Sequence, residues 1–255
     1  MDIRELFSLK GKTAVVTGAS RGLGREMSLA FADAGANVVL ADMDRDAALG
    51  VEKEIKTKGV GCLAVRADVG SIEDVEGMVE KAVTTFSRID ILVNNAGIVN
   101  NYPAEEMPAE DWDNIVKIDL SAVFYCSKAA GKQMIKQKKG SIINIASMSG
   151  MIVNTPQPQS HYNAAKAGVI QLTKSLAAEW AKHNIRVNSI SPGYMGTEMV
   201  RRVLSRYGEY WLPLIPMGRV GEPSEIRGPA VFLASEASSY MTGSNLVMDG
   251  GYTSW

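Results

Sequence analysis

Within the stretch SHYNAAKAG (160–168), Tyr162 and Lys166 stand four residues apart. At that spacing two side chains share one face of a helix. A lysine ammonium near a phenol favours the phenolate, lowering the tyrosine pKa from about 10 toward a range where it exchanges a proton with an alcohol or carbonyl. Ser147 closes the preceding apolar run, at the same expected sheet edge, and could hydrogen-bond the reacting oxygen. Ser147, Tyr162 and Lys166 are therefore the expected catalytic group. Each alone is ordinary, and a Tyr-x-x-x-Lys pair carries chemistry only in company.

The company begins near the N-terminus with TGASRGLG (17–24). Gly18, Gly22 and Gly24 let the backbone turn sharply and approach a pyrophosphate, whose charge meets a helix N-terminus. The spacing differs from the widespread GxGxxG, and a plain structural turn is the alternative; the position, opening the first strand–helix unit, favours the functional reading. Gly18, Ser20, Arg21, Gly22, Leu23 and Gly24 are the expected cofactor contacts of this turn. Asp42 follows at the distance where an acid meets the adenosine ribose. A carboxylate there accepts ribose hydroxyls and repels a 2′-phosphate. Its alternative is a helix N-cap, for which Asp44 is better placed. The expected cofactor is NAD, with Arg21 and Arg45 as nearby cations that could tolerate NADP.

These residues need a scaffold, and the apolar pattern supplies one. Runs at 12–17, 37–42, 61–66, 89–94, 141–145, 186–190 and 245–248 read as short buried strands. Segments 23–34, 47–57, 72–86, 112–137 and 162–183 read as helices. Continuous apolar strands alternating with helices predict an α/β fold: a single doubly wound Rossmann-type domain over 1–255, its seven-stranded parallel sheet covered by helices on both faces. One long irregular region, 191–221, reads as a substrate lid.

Bulk composition removes other classes. In 255 residues, 27 basic side chains face 28 acidic ones, which gives no nucleic-acid footprint. The charged start MDIRELFSLK gives no signal peptide, and no apolar stretch reaches membrane-spanning length. Cys62 and Cys126 read as reduced core thiols, so the expected location is cytoplasmic. No ligand cluster points to a metal.

Taken together and in order, TGASRGLG (17–24), Asp68-Val69, NNAG (94–97), Ser147, YNAAK (162–166), SPG (191–193), Thr197 and MDGGY (248–252) resemble the short-chain dehydrogenase/reductase family across essentially the whole chain. The resemblance implies that Tyr162 donates and accepts the proton, that Lys166 tunes it and holds the nicotinamide ribose, and that Ser147 steadies the reacting oxygen. It implies that Asp68 and Val69 flank the adenine, and that Asn95, Ala96 and Gly97 line the adenosine and stabilise the fourth strand. Pro192, Gly193 and Thr197 would hold the nicotinamide end. One position departs: the family's mid-helix asparagine is replaced by Asp119 in KIDL (117–120). Aspartate can accept hydrogen bonds through a water and serve the proton relay, or it only supports the backbone; when ionised it cannot donate.

The segments VNTPQPQ (153–159), RVNSISPGY (186–194) and DGGYTSW (249–255) resemble the polyol and ketose branch, which includes galactitol, arabinitol and mannitol dehydrogenases and sorbose reductases. Asn154, Gln157 and Gln159 are amides suited to several hydroxyls, or they cap loops and face water. Tyr194 and Trp211 could stack on a sugar face or pack within the lid. His161 takes a surface or packing role, since its helical offset turns it from Tyr162. The expected reaction is NAD(H)-linked interconversion of a polyol and a ketose. Alternatives are a 3-oxoacyl-thioester reductase, which would need a base rather than Asp42, a gluconate 5-dehydrogenase, which would need cations for the substrate carboxylate, and a non-catalytic cofactor-binding protein. The resemblance further implies a homotetramer, with the helices at 112–137 and 162–183 and the segment 222–234 between subunits.

Overall fold

Seven aliphatic runs become the strands β1 (Thr13–Thr17), β2 (Asn37–Asp42), β3 (Cys62–Arg66), β4 (Ile91–Asn94), β5 (Gly140–Ile145), β6 (Ile185–Pro192) and β7 (Asn245–Met248). A computed structural model, describing residues 2–255, places them in one sheet of order β3-β2-β1-β4-β5-β6-β7. Every neighbouring pair is parallel. The helices are α1 (Ile3–Leu6), α2 (Gly22–Asp33), α3 (Arg45–Lys56), α4 (Ile72–Phe86), α5 (Ala109–Val116), α6 (Ala122–Gln137), α7 (Ser160–Trp180), α8 (Glu198–Trp211) and α9 (Arg227–Ala234).

Strand residues alternate between two cores, as a period of two requires. Ala14, Val16, Val38 and Leu40 pack with Met27 and Phe31 of α2 and with Ala230 and Leu233 of α9. Val15, Val39 and Leu92 pack on the other face with Met78 of α4, Cys126 and Met134 of α6 and Leu176 of α7. Both cysteines are free and buried, and burial pushes each thiol up to about 12. The chain leaves β1 toward β2 and β3, then crosses back to β4 on the other side of β1. Ligands of such sheets bind beyond the carboxyl ends of the strands at that reversal.

Two expectations change here. The helix expected at 112–137 is broken: α5 passes through a π-helical turn, Lys117–Ser121, before α6 begins. The expected loop 191–221 is largely ordered, since β6 runs through Pro192 and α8 occupies most of the lid. α8 buries only Gly208 and Trp211, yet Val200, Val203, Leu204, Tyr207 and Trp211 recur along it at helical spacing. α9, of eight residues, is too short to show a helical period.

Candidate active site

The first strand–helix unit builds a cradle from backbone. Gly18 and Gly22 hold left-handed φ values of 62° and 55°, which glycine adopts without steric cost. A Cβ on Gly24 would lie 2.1 Å from the Gly18 carbonyl oxygen, so the helix can start this close to the turn only without a side chain. Arg21 precedes α2 without a side-chain cap, which leaves the first amides of the helix to a ligand. The Ser20 hydroxyl is buried beside them and has no partner. Asn95 braces the turn from behind, its amide nitrogen donating to the carbonyls of Thr17 at 2.9 Å and Gly18 at 3.0 Å. Thr197 also borders the turn, 3.5 Å from where a Gly22 Cβ would stand.

Asp42 ends β2 with both carboxylate oxygens anchored: one accepts the Ser20 N–H at 2.9 Å, the other the Asp44 N–H at 3.0 Å. Asp44 takes the cap of α3 by accepting the Ala47 N–H at 3.0 Å. Asp42 is therefore free of the capping alternative and stands at the mouth of the glycine turn. Asp68 bends the chain into α4 by accepting the Gly70 N–H at 2.8 Å, with Val69 buried beside it. A glycine cradle, an orphaned buried hydroxyl and an acid at the next strand end fit a dinucleotide.

The second group gathers at β4, β5 and α7. Lys166 is buried and donates to the Ile145 carbonyl at 3.0 Å. Its ammonium also lies 3.1 Å from the Asp119 carboxylate, which is fully buried. The second Asp119 oxygen accepts the Ile98 N–H at 2.8 Å. The contact expected through a water is thus a direct ion pair, and the backbone-supporting role is present as well. The π turn brings this about by putting an extra residue into the helix where Asp119 turns inward. Gly97 makes room for it, since a Cβ there would meet Asp119 at 2.9 Å.

Lys166 stands 5.5 Å from the centroid of the Tyr162 ring. Burial works against the lysine's charge, yet Asp119 and Tyr162 outweigh it and hold its pKa above the ordinary value. For Tyr162 the expected lowering does not prevail: desolvation raises the phenol, Lys166 opposes that rise, Asp119 adds to it, and the nearby Ser147 hydroxyl favours the phenolate. The pair is poised by opposing terms.

The expected substrate amides behave differently. Asn154, Gln157 and Gln159 are 4–7% exposed and bond to the protein itself. Asn154 and Gln157 donate to the Tyr194 hydroxyl at 3.2 and 2.9 Å, and Trp211 donates its indole N–H to Gln157 at 3.1 Å. The Gln159 amide nitrogen, with two hydrogens, faces the oxygens of Ser149, Asn154 and Asn163. Trp211 lies between two rings, Tyr194 at 3.9 Å and Tyr207 at 5.3 Å, so neither face is open to a sugar. These residues form the root of the lid, because their polar heads satisfy one another before any ligand arrives. His161 proves fully buried, bonded to Asn100, which excludes the surface role. A cavity of about 190 Å³ lies under the lid against Tyr194, Met195, Met217 and Asp249. A larger groove of about 640 Å³ between α1, α2 and α9 shares no residue with this site. Among the described residues no cluster of acids, histidines and cysteines could hold a metal ion.

A family model described as enoyl-(acyl carrier protein) reductase matches residues 18–253. An NADP-dependent mannitol dehydrogenase of Hypocrea jecorina is 44% identical over 253 residues, spanning 98% of this chain and 95% of its own. The crystal structure of a short-chain type dehydrogenase/reductase from Mycobacterium marinum superposes with a TM-score of 0.96 at 47% identity, covering 99% of both chains. The chain belongs to the short-chain dehydrogenase/reductase family. Within that family it is also 42% identical, over the whole of both chains, to a galactitol 2-dehydrogenase (L-tagatose-forming) of Cereibacter sphaeroides. As a short-chain dehydrogenase/reductase it is an oxidoreductase of alcohol groups, and its cofactor is a nicotinamide dinucleotide. No helix among the described residues is long and apolar enough to cross a membrane.

Proposed function

We propose that this enzyme interconverts a secondary alcohol of a polyol and the corresponding ketose. The observation that carries the reaction is the convergence of Ser147, Tyr162, Lys166 and Asp119 at the carboxyl ends of β4 and β5. The polyol class is supported by whole-length similarity to enzymes named for mannitol and galactitol. The bound dinucleotide supplies the hydride acceptor, or the donor in reverse. It would be held by the 18–24 turn, by Asp42, Asp68 and Val69 at the adenosine, and by Lys166, Pro192, Gly193 and Thr197 at the nicotinamide end. In oxidation Ser147 holds the substrate hydroxyl and Tyr162 removes its proton. Lys166 favours the phenolate in that step, and Asp119 keeps Lys166 charged in a dry site.

The fixed carboxylate of Asp42 supports NAD, because a 2′-phosphate beside it would be repelled. The NADP dependence named for the Hypocrea relative makes this preference the point to measure. An Asp42→Ala variant is expected to shift the NADP-to-NAD ratio of kcat/KM by about tenfold, roughly 1.4 kcal/mol of lost discrimination. Greater use of NADP by the unmutated enzyme would overturn the NAD preference. A neutral substrate is favoured over an acid sugar by the lid's cations. Arg201 and Arg219 are paired with Glu222 and Glu225, Arg202 with Glu198, and Arg206 lies over the Tyr207 ring. A panel of mannitol, galactitol, arabinitol, sorbose and gluconate with each cofactor tests the reading; turnover of gluconate alone would refute it. Exposed Trp112 and Phe124 on α5 and α6 support assembly through those helices, which light scattering of the purified protein would test.

A further inference from the structure

Ser149 stands outside every role described so far, yet it is the nearest polar partner of Ser147. Both residues are buried, at 5% and 8% exposure. The Ser149 N–H donates to the Ser147 hydroxyl oxygen at 3.1 Å, and the two hydroxyl oxygens are 3.0 Å apart. On its other side the Ser149 oxygen faces the Gln159 amide nitrogen at 3.3 Å. That nitrogen also faces the Asn154 and Asn163 side-chain oxygens at 3.2 and 3.0 Å. With oxygen acceptors around it, the Gln159 head group has one consistent orientation, nitrogen toward Ser149. An amide nitrogen carries hydrogens and no available lone pair. Its two hydrogens serve three oxygens, and it cannot take the Ser149 proton, whose remaining partner is Ser147.

We propose that Ser149 is a positioning residue that fixes the hydroxyl of Ser147, with Gln159 setting the direction of the chain. Ser147 then receives two hydrogen bonds, from the N–H and the O–H of Ser149, and its own proton points to the one side left open. Without Ser149 the Ser147 rotor is free to settle elsewhere, which weakens the donor to the reacting oxygen. The orientation propagates from further back. Trp211 can only donate, so its bond to the Gln157 oxygen turns the Gln157 nitrogen to Tyr194, and Gln159 turns the Asn154 nitrogen the same way. The amides at 154–159 thus serve the reaction by ordering hydroxyl protons from the lid root to Ser147. The proposal rests on the reading of Ser147 as the group that steadies the reacting oxygen.

The test uses the full-length enzyme with NAD or NADP, whichever it turns over, and with mannitol or galactitol, whichever it oxidises faster. Ser149→Ala is expected to lower kcat about tenfold with an unchanged KM for the cofactor, and Ser149→Thr to restore most of it. Gln159→Glu and Gln159→Ala separate orientation from packing. The isosteric glutamate, assayed at pH 9 where the introduced carboxylate is ionised, draws the Ser149 proton away and is expected to lose more kcat than alanine. Packing alone predicts the reverse order, and that order, or a Ser149→Ala variant with parental kcat, overturns the proposal. Thermal melts establish that each variant folds. Ser147→Ala distinguishes the two levels: full activity there defeats the reading of Ser147 itself, whereas inactivity there beside an unaffected Ser149→Ala defeats only the proposal about Ser149.

Discussion

The cofactor side and the substrate side of this sheet edge are built from different materials. Around β1 and β2 the site is largely backbone: two left-handed glycines, the start of α2 and one anchored acid. Around β5, β6 and the lid it is side chain against side chain, where Asn154, Gln157, Gln159, Tyr194 and Trp211 answer one another. A backbone cradle announces itself through glycines, because few other residues tolerate the geometry. Amide side chains announce only that something polar is needed, and the something here is largely the protein. Asp119 stands between the two sides, touching Ile98 after β4 and Lys166 on α7.

The strongest way to test this contrast is at the proton itself. Tyr162→Phe should lower kcat by about 10²–10⁴-fold while leaving cofactor affinity near the parental value, read by stopped-flow and by fluorescence titration of the reduced cofactor. Comparable loss of cofactor binding would show that the two sides are not separable. On the backbone side, Gly24→Ala forces a Cβ to within 2.1 Å of the Gly18 carbonyl. It should cost about 1–3 kcal/mol of stability and most of the dinucleotide affinity, as measured by melting with and without cofactor. A variant that binds cofactor like the parent would mean that the close approach is not needed.

At the junction, Asp119→Asn leaves an amide facing two donors, the Ile98 N–H and the Lys166 ammonium. It cannot satisfy both, so about 1–3 kcal/mol of local stabilisation is lost. The carboxylate also raises the Tyr162 phenol. Its removal should bring phenolate in at lower pH and move the acid limb of the kcat profile for alcohol oxidation downward. An unmoved limb would remove Asp119 from the proton chemistry. The smallest effect belongs to the lid root: Trp211→Phe keeps the ring stack and loses one bond to Gln157, worth about 1 kcal/mol in a chemical melt. A kcat loss larger than that of Asp119→Asn would reverse the expected ranking of junction over lid.

Much of this molecule was readable before any coordinates. The seven strands stand within two residues of their apolar runs, since buried parallel strands must be continuously apolar. The glycine turn, Asp42, Ser147, Tyr162 and Lys166 were legible because each combines a rare requirement with a place at a strand end. Helix α8 carries the same kind of signal in Val200, Val203, Leu204, Tyr207 and Trp211, but the prolines and glycines at 192–196 and 213–218 on either side give the region the look of a loop. The amides were legible as polar but their partners in the lid root were not, because sequence carries the type of a hydrogen-bonding group and not the address of its partner. Ser149 had only its place two residues after Ser147, in ASMSG, to mark it.

Local chemistry therefore determined which residues could do the reaction and which turn could cradle a dinucleotide. Only the tertiary structure decided that Asp119 meets Lys166 directly, since that contact depends on a π turn in one helix and a missing Cβ at Gly97. Only it decided that three amides face inward to Tyr194 and Ser149, because a buried polar group takes whichever partner the fold brings within about 3 Å.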